Sequence, residues 1–165
     1  MIGGNAVAAW VSGVDDSVVR ATQDVNLLVR REDMPAITEA LENAGFRHRT
    51  VSILGGKGTI EMFLDGPGAK ARDAVHLIFA REKVNPDSLE PSPDVVEVEE
   101  DTGPHGFRLI ALEGLVTMKL TSYRRQDQVH LLDMLEIGQF DATWLDRVPA
   151  SLRDRLQALL DDPEG

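Results

Sequence analysis

The apolar positions along this chain change character partway through, from short strand-like runs interleaved with two short helical stretches before residue 110 to a sustained three-to-four spacing after it. Residues 5 to 12 (NAVAAWVS) follow a Gly-Gly pair and read as a short helix, with Met1-Ile2 resembling the tail of a strand. The run 24 to 29 (DVNLLV) alternates and then becomes continuously apolar, as a strand at the centre of a sheet does. Asp24 and Asn26 are two apart, so on that strand both point to one face. Asp33 is placed as an N-cap and Pro35 sits near the first turn of a helix that carries Ile37 and Leu41 on one side and stops at Gly45. A strand is expected from Arg47 to Leu54. A turn follows at Gly55, Gly56 and Gly58, and then TIEMFLD and AVHLIFA form two strands joined by the Gly-Pro-Gly loop around Pro67.

Residues 85 to 100 are Pro-rich and acidic, with one short strand in VVEVE, and read as a surface excursion. From Leu112 the apolar positions Leu112, Leu115, Val116, Leu120, Leu131, Leu132 and Leu135 predict two packed helices with a break near Arg124. Leu152, Leu156 and Leu159 behind Pro149 predict a last amphipathic helix. The pattern is that of an α/β (α+β) chain with helices flanking a sheet. A single domain is expected over residues 1 to 165, with a sheet-containing core at about 1–110 and C-terminal helices at about 111–162.

Composition narrows the functional classes. At 165 residues, 42% hydrophobic and 27% charged, the chain has the balance of an ordinary globular protein with enough length for one real core. No apolar run approaches the roughly 20 residues that span a bilayer, and the opening residues lack a basic leader, so no membrane association is expected and a cytoplasmic location is. With no cysteine, any metal must use oxygen or imidazole ligands. A formal charge of −11 argues against broad, phosphate-driven binding of DNA or RNA. A small nucleotide in a locally basic pocket stays compatible with it, because local field and net charge are different quantities.

The candidate chemistry is concentrated in a few places. Gly3-Gly4 ahead of a helix offers backbone N–H groups to phosphate oxygens with no Cβ in the way, although a plain strand-to-helix turn would use the same residues. About twenty residues on, RATQDVNLLV carries Arg20, Thr22, Asp24 and Asn26. In this arrangement the chain resembles the nucleotidyltransferase superfamily, notably its small bacterial members related to abortive-infection toxins. That family shows a Gly-Gly or Gly-Ser turn, a helix, an Arg-x-Thr-x-Asp-x-Asp strand and a third Asp on a neighbouring strand. Here Asn26 stands in place of the second Asp and His76 in place of the third. The likeness continues through LEGLVTMKLTSYRRQDQVHLLDML, where Lys119, Arg125, Asp127 and Asp133 occupy family positions.

The resemblance implies a nucleotidyltransferase-like mixed β-sheet flanked by helices. It further implies a nucleoside triphosphate held with Mg2+ or Mn2+ by Asp24 and Asn26, and phosphate or cofactor contacts from Gly3, Gly4, Arg20, Thr22, Lys119 and Arg125. The third expected member of the catalytic set, beside Asp24 and Asn26, is His76. Replacing Asp by Asn keeps an oxygen ligand and removes a charge, while imidazole suits zinc, manganese or nickel better than magnesium. His76 reads either as an acceptor of a proton from a hydroxyl substrate or as a strand histidine with a structural hydrogen bond. His130 and Asp133, three apart on a helix, either join Asp24 and His76 around a metal or brace the helices as a buried polar pair. Lys119, Arg124 and Arg125 either face phosphate or are solvated charges paired with Asp127 and Glu113.

Two functions therefore stay open from sequence. One is an enzyme that moves a nucleoside monophosphate to an RNA, protein or small-molecule hydroxyl. The other is a catalytically degenerate binding or regulatory module, as in a toxin–antitoxin or defence pair. A third expectation is a missing N-terminal element whose absence exposes a surface that a protein partner or a second copy covers. GGKG at 55 to 58 lacks the length and ending of a P-loop and reads as a hairpin turn. No Gly-x-Ser-x-Gly or HExxH motif supports a hydrolase.

Overall fold

The computed structural model describes residues 1–20, 22, 24–52, 58–66, 68–95, 98–99 and 108–163. Its main sheet contains β1 (Val25–Val29), β2 (Phe46–Ser52), β3 (Thr59–Asp65) and β4 (Val75–Phe79), in the order β1-β4-β3-β2. β1 and β4 are parallel, and the other pairings are antiparallel, so the sheet is mixed. β5 (Val98–Glu99) and β6 (Leu109–Ile110) form a separate small ribbon. The helices are α1 (Gly3–Ser12), α2 (Met34–Asn43), α3 (Leu112–Ser122), α4 (Arg125–Glu136) and α5 (Arg153–Asp161). Among the described residues no helix is long and apolar enough to cross a membrane.

The local reasons match the sequence signals in most places. Pro35 sits in the first turn of α2, and Gly45 leaves that helix at φ +96, a left-handed value that suits glycine. The break near Arg124 is real: Tyr123 ends α3 at φ 48, and α4 starts immediately after it. Asp127 stabilises that new start, accepting from the Arg124 backbone N–H at 3.3 Å and placing a negative charge at the helix N-terminus. The expected strand end at residues 53 and 54, the turn at 55 to 57, Pro67, and residues 96, 97 and 100 of the expected excursion lie outside the described residues.

One core holds the N-terminal helix and the C-terminal helices together. Ala6, Val7 and Val11 of α1 pack with Leu115, Val116 and Leu120 of α3, Leu131 and Met134 of α4, Leu156 and Leu159 of α5, and Trp144. Leu28 of β1 and Ile78 of β4 rest on this cluster, so it is the sheet face bearing Asn26 and His76 that meets the helices. A bond from the indole N–H of Trp10 to the Ile110 carbonyl at 3.0 Å ties α1 to β6.

Two expectations need correction. The first helix begins at Gly3 rather than at residue 5, so both glycines lie in its first turn. Gly3 takes φ +76, and the Ile2 N–H is bonded to the Asn26 carbonyl at 2.9 Å, which carries the chain from an edge bridge on β1 straight into the helix. The stretch after residue 84 is not simply a surface excursion. Ser92 and Asp94 are buried, Asp94 receives the Arg81 guanidinium, and the Ser92 backbone exchanges hydrogen bonds with Arg81 and Glu82. These bonds hold the segment against the end of β4.

Candidate functional site

Parallel pairing of β1 with β4 sets Asn26 directly opposite His76, and Asp24 lies just before β1 on the same side. The three residues proposed from sequence therefore converge. Asp24 Oδ2 accepts from the Asn26 amide at 2.6 Å and lies 3.9 Å from His76 Nδ1. His76 Nε2 is 3.0 Å from the Ala71 carbonyl oxygen. A carbonyl only accepts, so Nε2 carries a proton, and in the neutral imidazole Nδ1 is then the nitrogen whose lone pair lies on the side of Asp24.

The first turn of α1 closes onto this corner. A Cβ at Gly4 would lie 2.2 Å from Thr22 Cγ2, and one at Gly3 would lie 2.9 Å from Asn26 Nδ2. Both glycines are thus required for the helix to approach the strand. Thr22 donates its hydroxyl to Asn5 Oδ1 at 2.7 Å, and the Asn5 amide donates to the Asp24 carbonyl at 2.8 Å. Asn5 thus locks the segment before β1 to α1, and Gly3 and Gly4 of the first turn, where an α-helix leaves N–H groups without intrahelical partners, stand next to the strand corner.

A second group lies on α3 and α4. Lys119 is only 5% exposed, Asp127 1% and His130 3%. Lys119 Nζ is 2.7 Å from Asp127 Oδ1 and 2.9 Å from His130 Nδ1. Asp127 also accepts from Arg124 Nε at 2.8 Å and from the Ser122 hydroxyl at 2.6 Å. Burial alone would raise the Asp127 carboxyl, but the Arg124 bond and the Lys119 charge outweigh it and hold the pKa down to about 2. Burial, aided by the Lys119 charge, pushes His130 down to about 4. Burial also lowers Lys119, against the opposing charge of Asp127.

Both groups line one cleft of about 560 Å³. Gly3, Gly4, Thr22, Asp24, Asn26 and His76 form one side of it, and Lys119, Ser122, Arg124, Asp127 and His130 another. The segment 84–92 supplies a further wall through residues that include Asn85, Ser88 and Glu90. Arg155 from α5 reaches the same space while donating to the Leu120 and Thr121 carbonyls, each at 2.7 Å.

Some expectations are not met here. Arg20 does not line the cleft. Its guanidinium grips Asp133 in a two-point bond at 2.6 and 2.9 Å, which joins the loop before β1 to α4. Arg125 is exposed on α4 and outside the lining, because the αL residue Tyr123 turns the chain so that Arg124 is the arginine facing the cleft. Lys119 is no solvated charge, and its partners are Asp127 and His130 rather than Glu113. The grouping of His130 and Asp133 with Asp24 and His76 around a metal does not form: Asp133 is bound to Arg20, His130 to Lys119, and among the described residues no set of three or more acids and histidines is placed to hold an ion. Asn5, Arg155 and the 84–92 wall were not singled out by sequence. Asn5 had one signal, as a polar residue within the apolar run of the first helix.

With one carboxylate, one amide and one imidazole, the strand corner does not make a complete oxygen cage for Mg2+. It fits an ion only where triphosphate oxygens complete the shell, an arrangement in which one or two carboxylates suffice. Asp24 and Asn26 are the residues that would hold it.

The chain is similar in fold to the solution structure of the antibiotic-resistance factor ANT(2'')-Ia, an aminoglycoside nucleotidyltransferase. The two are 13% identical, with a TM-score of 0.56 over 96% of this chain and 83% of that one. No family model and no curated protein matches the chain. The mixed four-stranded sheet with its flanking helices is therefore a nucleotidyltransferase-like α/β fold.

Proposed function

We propose that the cleft binds a nucleoside triphosphate and that the chain transfers the nucleoside monophosphate to a hydroxyl acceptor. The observation that carries this reading is the shared cleft, where the first turn of α1, the Asp24–Asn26–His76 corner and the Lys119–Arg124 side face one space. Phosphate oxygens would meet the Gly3 and Gly4 N–H groups on one side and Lys119 and Arg124 on the other. A Mg2+ or Mn2+ ion held by Asp24, Asn26 and the triphosphate would supply charge neutralisation at the α-phosphorus. His76, with its lone pair at Nδ1, accepts the proton of the attacking hydroxyl, and Asp24 at 3.9 Å favours the imidazolium that results. The acceptor oxygen bonds to the α-phosphorus as the bond to the β-phosphate oxygen breaks, and pyrophosphate leaves.

A second reading, binding without transfer, is favoured by one specific observation. The Asn26 amide donates to Asp24 where the superfamily pattern has a second carboxylate. The chain would then act as a nucleotide-responsive module beside a partner, as in a toxin–antitoxin or defence pair.

Pyrophosphate release from each nucleoside triphosphate, with Mn2+ or Mg2+ and a panel of hydroxyl acceptors, separates the two. An aminoglycoside belongs in the panel because the similar solved structure is that of an aminoglycoside nucleotidyltransferase. Transfer that is lost in Asp24→Ala supports the enzyme. Calorimetric binding with no release across the panel supports the module, and no binding at millimolar triphosphate overturns both.

A further inference from the structure

His130 is buried on α4, 2.9 Å from a lysine, and the transfer chemistry above assigns it nothing. An ammonium group donates three hydrogen bonds and accepts none, so the short contact with Lys119 requires the Nδ1 lone pair of a neutral imidazole, with the ring proton on Nε2. A charged His130 would set two cations against each other at that distance. Asp127 takes a second Lys119 donor at 2.7 Å, and the lysine lines the cleft. Two fixed acceptors leave the long lysine side chain little rotational freedom and one N–H for a ligand.

We propose that His130 is a positioning residue, whose Nδ1 lone pair works with Asp127 to hold the Lys119 ammonium on the cleft wall with its third N–H aimed at the phosphates of a bound nucleotide. This rests on the reading of the cleft as a triphosphate site. The charged groups that act on His130 are Lys119 from α3, Asp127 and Asp133 from α4, and Arg20 from the loop before β1. Arg20 and Asp133 bind each other, so their opposite charges largely cancel at the ring. Lys119 and Asp127 are the partners that matter. Asp24 also acts on both Lys119 and Arg124 through its charge, which places all three around the same space.

The test compares His130→Asn, whose Oδ1 stands near the position of Nδ1, with His130→Leu, which keeps volume and removes the acceptor. Affinity for a triphosphate and for the matching nucleoside, which lacks phosphate, is measured by calorimetry, with thermal unfolding as a check on the fold. His130→Leu should weaken the triphosphate roughly tenfold, the usual size for loss of one charge-assisted hydrogen bond, and leave the nucleoside unchanged. His130→Asn should restore most of that loss. Nitrogen NMR of the native chain should find His130 protonated at Nε2 only. Equal losses for triphosphate and nucleoside, or a proton on Nδ1, would overturn the positioning role while leaving the nucleotide reading intact. Failure of the native chain to bind triphosphate would overturn both.

Discussion

The two sides of the cleft are built on opposite principles. The strand side is half-open and lightly constrained: Asp24, Asn26 and His76 are each partly exposed, and a single amide stands between the chain and a bare carboxylate corner. The helix side is over-determined around a buried centre: Lys119, Asp127 and His130 are buried, and Asp127 alone gathers Lys119 and the more exposed Arg124 and Ser122. A buried carboxylate that neutralises a buried ammonium and caps a helix is tied to the stability of the fold. A partly exposed carboxylate held by one amide still has oxygen lone pairs to offer a ligand. The two carboxylates should therefore separate, with loss of Asp127 reporting chiefly in stability and loss of Asp24 chiefly in binding.

The largest expected effect is Asp127→Ala. It leaves the Lys119 ammonium buried without its counter-charge and strips α4 of its cap, so chemical denaturation should show a loss of about 3–5 kcal/mol. A loss below about 1 kcal/mol would mean that the buried pair is not part of the framework. Next is Gly4→Ala. Its Cβ would lie 2.2 Å from Thr22 Cγ2, which forces α1 and the segment before β1 apart at a cost of about 1–3 kcal/mol, with triphosphate affinity falling too.

Acidification sharpens the comparison further. His130 is held down to about 4 from an ordinary 6.5, so between those values the unfolded chain takes up a proton that the folded chain refuses, and stability falls as pH falls. Asp127 is held to about 2 from 3.8, so its contribution is present above 3.8 and is lost as pH drops toward 2. Denaturation midpoints should therefore drop in two stages, and His130→Asn should remove the upper one. A smaller effect is expected for Asn26→Asp, which sets two carboxylates side by side. Without metal it should cost about 1 kcal/mol, and Mn2+ should restore the loss in thermal unfolding. The smallest effect is Arg125→Ala, within about 0.5 kcal/mol and without change in nucleotide affinity, whereas Arg124→Ala should weaken it.

Most of the fold could be read from the sequence because its signals are local. Pro35 and Gly45 bracket α2, the leucine spacing after Leu112 gives α3 and α4, and the apolar run after Asp24 gives β1. The strand corner could be read for the same reason, since Asp24 and Asn26 share a face by strand periodicity, and His76 follows once the strands pair in register. The helix side could not. Whether Lys119 is solvated or buried depends on how α3 meets α4, and choosing between Arg124 and Arg125 depends on the φ of one residue, Tyr123. Arg20 carried a family position into the sequence reading, but the structure uses it to hold Asp133. The wall at 84–92 was hidden by its composition, because Pro-rich acidic sequence looks alike whether it hangs in solvent or is pinned by Arg81 to Asp94.

The most direct test is a crystal structure of the chain with a non-hydrolysable nucleoside triphosphate and Mn2+. The triphosphate should lie between the first-turn amides of Gly3 and Gly4 and the Lys119 ammonium, with the ion against Asp24 and Asn26. A nucleotide bound elsewhere, or a cleft that stays empty at millimolar ligand while Asp24 keeps its bond to Asn26, would contradict the account.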